Sequence, residues 1–208
     1  MTSVSLKEAK NQLRKQIKRT LKGISRESLI IQSHDIHQKL LQLDRFQQCK
    51  KIAIFMNMPD SEVKTMDIIK SCYQHGKDVY LPRCNPFEVE GRKKNFLSML
   101  QVPTFNDVLN LQPQGKYQLL EPISGIDAIE QGDLDVIIMP GVAFTKTKKR
   151  IGHGAGFYDE FLNYYFKKFQ RKPYLIGIAL QEQLVDDIPT EEHDFPLDKL
   201  IVANHDVY

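Results

Sequence analysis

Hydrophobic positions along this chain switch between two periods, and the switching lays out helices and strands in turn. Leu6, Leu13, Ile17, Leu21 and Ile24 fall on one helical face behind Ser5-Leu-Lys-Glu8, a sequence suited to a capping box that closes the first turn. A second helix opens near Ser25 and turns Leu29, Ile30, Ile36, Leu40 and Leu43 inward. The period then shortens. Lys51-Ile-Ala-Ile-Phe-Met56, Val79-Tyr-Leu81, Asp135-Val-Ile-Ile-Met139, Tyr174-Leu-Ile-Gly-Ile-Ala-Leu180 and Leu200-Ile-Val-Ala203 are short apolar runs, the pattern of strands covered on both faces. A helix around Val63 to His75 links the first two runs, which makes a β-α-β unit with parallel strands and a right-handed crossover. Another helix follows Gly156, where Phe157, Phe161, Tyr164, Tyr165 and Phe169 build an aromatic face that can pack on the sheet. Residues 84–133 are broken by Asn85-Pro86, Pro103, Pro113-Gln-Gly115 and Glu121-Pro122 into short strands and loops, and Arg92-Lys93-Lys94 reads as a solvated basic loop. The expectation is an α/β protein with a parallel sheet flanked by helices.

Composition narrows the class. At 208 residues, 41% hydrophobic and 26% charged, the chain suits one globular domain over 1–208. A formal net charge of +3 gives no ground for nucleic-acid binding, though it mildly favours an anionic substrate. Cys49, Cys72 and Cys84 are odd in number and form no C-x-x-C pair, so reduced thiols and a cytoplasmic setting are expected. No apolar run reaches membrane-spanning length, and no secretory segment is expected at the start. The first helix is also amphipathic and basic, which leaves a mitochondrial transit peptide as the alternative; Glu8 argues against it.

The chemistry concentrates in Arg150-Ile-Gly-His-Gly-Ala-Gly-Phe-Tyr-Asp159. Closely spaced glycines before a helix let backbone N–H groups converge at its positive end, which suits a phosphate. The spacing is G-x-G-x-G. A dinucleotide fingerprint would need glycine where Phe157 stands, and no Gly-Lys-Ser/Thr follows as in a P-loop. By itself such a run is equally a flexible turn. Arg150 adds a fixed cation, and Asp159 a carboxylate that can meet Mg2+ on a bound nucleotide. Lys10 and Arg14 project together from the first helix, either toward an anion or as a solvated face. His34 and His37 have no third ligand and read as helix surface. Met56 and Glu62 fall beyond the carboxyl end of the first strand, where ligands of such sheets collect; a helix-terminal acid is the plainer reading of Glu62.

Met139-Pro-Gly-Val-Ala-Phe144 together with the Arg150-to-Asp159 segment closely resembles the signature of the 5-formyltetrahydrofolate cyclo-ligases, or methenyltetrahydrofolate synthetases. Lys10-x-x-x-Arg14, Glu62-Val-Lys-Thr65, Leu81-Pro-Arg83, Glu121-Pro122, Gln183-Leu184, Ile188-Pro189 and His193-Asp194 extend the resemblance along nearly the whole chain. It implies a three-layer α/β/α fold with a mostly parallel Rossmann-like sheet. The implied reaction is the ATP- and Mg2+-dependent cyclisation of 5-formyltetrahydrofolate to 5,10-methenyltetrahydrofolate, with ADP and phosphate released. ATP would be a co-substrate and the protein a monomer acting on small molecules. ATP would be held by Lys10, Arg14, Arg150, Gly152, His153, Gly154, Ala155, Gly156, Phe157 and Tyr158, and the folate by Met56, Glu62, Phe157 and Tyr158. Arg150, His153 and Tyr158 would be catalytic, and Asp159 and Asp194 would hold the metal. A sugar-phosphate isomerase or CoA-transferase-like activity is the alternative on similar scaffolds. Two positions depart from the pattern: Thr145 where aspartate is usual, which leaves a charged role there in doubt, and Phe157 where tyrosine is usual.

Overall fold

The computed structural model describes residues 5–59, 61–115, 118–189 and 195–208. Helices α1 (Leu6–Leu21), α2 (Arg26–Leu41) and α3 (Asp44–Gln48) precede β1 (Lys51–Ile54), and α4 (Met66–Gln74) leads to β2 (Asp78–Asn85) and β3 (Phe96–Val102). After α5 (Phe105–Leu109), the small ribbon β4 (Pro113–Gln114) and β5 (Leu119–Leu120), and α6 (Ala128–Gln131), the chain re-enters the sheet as β6 (Val136–Met139). A hairpin of β7 (Ala143–Phe144) and β8 (Arg150–Ile151) comes before α7 (Phe157–Phe169), and β9 (Tyr174–Ala179) and β10 (Lys199–Val202) complete the order.

Six strands form one sheet in the order β10-β9-β6-β1-β2-β3, parallel throughout except for the antiparallel pairing of β2 with β3. Alternation along the strands decides the layers. Ile52, Ile54, Val79, Leu81, Val136 and Ile138 face a core shared with Ile17 of α1, Ile36 of α2 and Ile68 of α4. Ala53, Tyr80, Ile137, Met139 and Leu175 face the opposite core, filled by Ile129 of α6 and by Phe161, Leu162 and Tyr165 of α7. The fold is therefore three-layered, with the mostly parallel sheet that the apolar runs imply.

Local chemistry sets the helix ends. Ser5 and Glu8 form the expected reciprocal capping box, and Ser25 caps α2 through the Ser28 N–H. Some expected positions differ. Ile30 is 54% exposed, because one residue turns a helix by about 100° and the α2 stripe runs through Leu29, Ile36 and Leu40 instead. Leu6 is 41% exposed, since the first turn of α1 reaches past the core. Within residues 84–133, β3 is a full seven-residue edge strand whose apolar run is broken by Ser98 and Gln101. Pairing of β1 with β2 stops at Ala53 and Tyr80, whereas β2 stays paired with β3 through Asn85. The β2–β3 ribbon thus projects beyond the carboxyl end of β1 and walls one side of the crevice there.

Candidate active site

The glycine segment does not leave the buried strand directly. β6 ends at Met139, and the β7–β8 hairpin first turns the chain so that β8 delivers Arg150 to the sheet end. Thr145 is fully buried in that turn. Its hydroxyl accepts from the Lys149 N–H at 3.1 Å and bonds the Thr147 hydroxyl at 2.8 Å, a local turn-making role that needs no charge. Arg150 is also buried; its Nη2 donates to Asp159 Oδ1 at 2.6 Å, while its Nε is buried with no hydrogen-bond partner among the described residues.

Beyond Arg150, Gly154 has φ +107° and Gly156 φ +68°, conformations that a side chain would strain. Gly156 caps α7 without any side-chain hydrogen bond, and the first intrahelical bond runs from Glu160 N–H to Gly156 C=O at 3.0 Å. The amides before Glu160 are left without helical acceptors, at the end of the helix where partial positive charge accumulates. Helix α1 lies against this loop: Arg14 Nε donates to the Gly152 carbonyl at 2.8 Å, and Arg14 Nη1 to Asn11 at 2.8 Å.

Two cavities meet at the loop. The first, about 790 Å³, is lined by Lys7, Lys10, Arg14, Lys93, Arg150 and Lys167. Among the described residues its carboxylates are Asp159 and Glu160, each already engaged by an arginine, Arg150 and Arg92 respectively. The second, about 550 Å³, is lined largely by apolar groups, among them Phe55, Met56, Pro82, Leu97, Leu119, Leu120, Val142, Phe157 and Tyr158. Arg150, Gly152, Gly156 and Asp159 border both. An anionic ligand suits the basic cavity and a flat apolar ring system the other.

On the apolar side, Glu62 is buried; Oε2 accepts from the Met58 N–H at 2.8 Å and Oε1 lies 3.2 Å from His153 Nε2. That contact joins the glycine loop to the end of the β1 strand. Burial raises the Tyr158 phenol, and the nearby Glu62 charge raises it further, so the hydroxyl stays a donor across the neutral range. Glu121, with no role in the sequence reading, is buried in the same cavity and accepts from the Cys84 N–H at 3.2 Å. Burial lifts its carboxyl above the usual range, and burial together with that carboxylate pushes the Cys84 thiol up to about 12.

The structure brings Lys10, Arg14, Arg150, Gly152, Gly154, Gly156 and Asp159 together around the first cavity, and Met56, Glu62, His153, Ala155, Phe157 and Tyr158 around the second. Asp194, expected as the second metal ligand, and His193 lie outside the described residues. Among the described residues no group of three acidic, histidine or cysteine side chains could hold a metal. His37 bonds the Ser71 hydroxyl at 2.9 Å rather than sharing a ligand with His34. No helix among the described residues is long and apolar enough to cross a membrane.

Comparison with known proteins gives one consistent result. Residues 6–203 match the 5-formyltetrahydrofolate cyclo-ligase family. The chain is 36% identical over 207 residues to the 5-formyltetrahydrofolate cyclo-ligase of Saccharomyces cerevisiae, covering 96% of this chain and 97% of that one. It is 32% identical over 204 residues to the Mus musculus protein of the same name, covering 97% of each. Among solved structures, the 5,10-methenyltetrahydrofolate synthetase of Aquifex aeolicus superposes with a TM-score of 0.72 at 26% identity, over 94% of this chain and 90% of that one.

Proposed function

The chain belongs to the 5-formyltetrahydrofolate cyclo-ligase family and is a ligase, and on that premise we propose that it cyclises 5-formyltetrahydrofolate to 5,10-methenyltetrahydrofolate with ATP and Mg2+, releasing ADP and phosphate. The observation that carries this reading is the meeting of a basic and an apolar cavity at one glycine loop. A formamide oxygen is a poor leaving group. Phosphorylation overcomes this: the formyl oxygen bonds to the terminal phosphorus of ATP as the bond to ADP breaks. N10 of the folate then attacks the formyl carbon and loses its proton, and the carbon–oxygen bond breaks as phosphate departs.

Each step assigns work to this chain. Lys10, Arg14, Arg150 and the amides of Gly152, His153, Gly154, Ala155 and Gly156 hold the phosphates, and the Arg150 Nε, without a partner among the described residues, supplies a donor toward charge that develops in transfer. Met56, Phe157 and Tyr158 pack the pterin, Glu62 accepts from its ring nitrogens, and His153 keeps Glu62 and the loop in register. Tyr158 donates its hydroxyl toward the substrate. The donor set for Mg2+ is Asp159, with one oxygen held by Arg150, and Asp194; one or two carboxylates with nucleotide phosphates are what this ion usually takes. When bound, Mg2+ neutralises phosphate charge. The chain acts as one domain and as a monomer, and three free thiols, two of them buried, suit the cytoplasm.

The test is to mix the purified protein with 5-formyltetrahydrofolate and Mg2+, with and without ATP, and to follow the near-ultraviolet absorbance of the methenyl product. The expected rise requires ATP; an equal rise without ATP overturns the proposal.

A further inference from the structure

We infer that Lys93 is a further phosphate-binding residue, carried to the wall of the basic cavity by the β2–β3 loop, residues 86–95, with Arg92 as its anchor. The inference rests on the nucleotide reading above and adds to it a cation from an element that neither α1 nor the glycine loop contains. The basic run 92–94 reads from sequence as solvated, but Arg92 is fixed in place. Its Nε and Nη2 donate to Glu160 Oε1 and Oε2 at 2.9 and 2.7 Å, and Nη2 also to the Leu97 carbonyl at 2.9 Å. Its guanidinium lies 4.1 Å from the Phe96 ring centre and 4.5 Å from that of Tyr164. A bidentate ion pair with side chains only 4% and 7% exposed, stacked between two rings, pins the loop to α7.

The pin sets the position of the next residue. Lys93 Nζ stands 3.6 Å from where a Cβ on Gly156 would be, at the N-cap of α7, and it lines the basic cavity. Cations are disfavoured at that end of a helix, where the dipole is positive. Among the described residues no carboxylate pairs with Lys93. An anion between the ammonium and the α7 amides resolves this like-charge arrangement. Across the loop, Arg14 Cζ lies 3.6 Å from the corresponding point on Gly154, so two cations from different elements flank two glycines of one loop.

Calorimetric titration of the whole protein with Mg2+ and the non-hydrolysable analogue AMP-PNP, and separately with tripolyphosphate, tests this. Lys93→Met should weaken both ligands on the order of tenfold or more, while adenosine and 5-formyltetrahydrofolate bind within about twofold of the parent and the ligand-free melting temperature does not fall. Lys93→Arg should recover most of the loss. Binding of AMP-PNP to Lys93→Met within about twofold of the parent, in an experiment where Lys10→Ala does weaken it, overturns the inference and leaves the nucleotide reading standing. A parent protein that takes up neither AMP-PNP nor tripolyphosphate overturns both.

Discussion

The two cavities that share the glycine loop are built by opposite means. The basic one is made of long side chains reaching in from α1, the β2–β3 loop, β8 and α7, around backbone that carries no side-chain cap. The apolar one is made of the sheet itself, where β2 and β3 outrun β1, so that among the described residues β2 has no strand beside it on the β1 side beyond Tyr80, and Phe55, Met56, Pro82 and Leu97 line the crevice. Charge in the first is held at the ends of flexible stems and is screened by salt, whereas the second is a continuation of the packed core. A ligand with a polyanionic end and a second with a flat ring can therefore be recognised independently, and they come together only at Arg150 and the loop.

The largest effect should come where the two meet. Arg150→Met is expected to lower turnover by roughly a thousandfold, as for loss of a preorganised donor at a reacting oxyanion, and to cost about 3 kcal/mol of stability by stranding Asp159. Steady-state rates and chemical denaturation check both parts. A loss confined to one substrate's Michaelis constant would show that Arg150 serves one cavity alone.

Smaller and separable effects should follow on either side. Lys10→Ala or Arg14→Ala should raise the Michaelis constant for ATP about tenfold or more and leave that for 5-formyltetrahydrofolate within about twofold. Met56→Ala should do the reverse, with a loss of about 2 kcal/mol in folate affinity for a truncated apolar contact. If each variant moved both constants equally, the two cavities would not be independent sites.

The smallest effect concerns Glu121. A carboxyl raised by burial binds more protons in the folded than in the unfolded state between its two pKa values, so stability is full below the ordinary carboxylate range and falls as pH rises through the raised value. Glu121→Gln, neutral at every pH, should flatten that decline in a series of melting curves. An unchanged pH slope in the variant would place the decline elsewhere.

How much of this is visible in the residues depends on whether a feature is local. The Ser5 capping box, the Gly154 and Gly156 turns and the apolar runs of β1, β6 and β9 follow from short-range chemistry, and all are present in the fold. The β3 strand, the hairpin that delivers Arg150 and the inward turn of Lys10 depend on packing between distant segments. Glu121, Leu119 and Leu120 stand among turn-forming residues in the sequence, and only the fold brings them to one cavity with Cys84 of β2 and Leu97 of β3. Arg92 is the sharpest case, since a basic triplet gives no hint that one member is buried against Glu160, 68 residues away. His193 and Asp194, placed by the motif alone, lie outside the described residues.

Direct phosphoryl transfer needs the glycine loop to bring a phosphate and the formyl oxygen to one point, so the most direct measurement follows that oxygen. With a heavy-oxygen label in the formyl group of 5-formyltetrahydrofolate, direct phosphoryl transfer predicts that the label leaves in inorganic phosphate, with one ADP formed for each methenyl product. Label found only in water, with phosphate unlabelled, would contradict it.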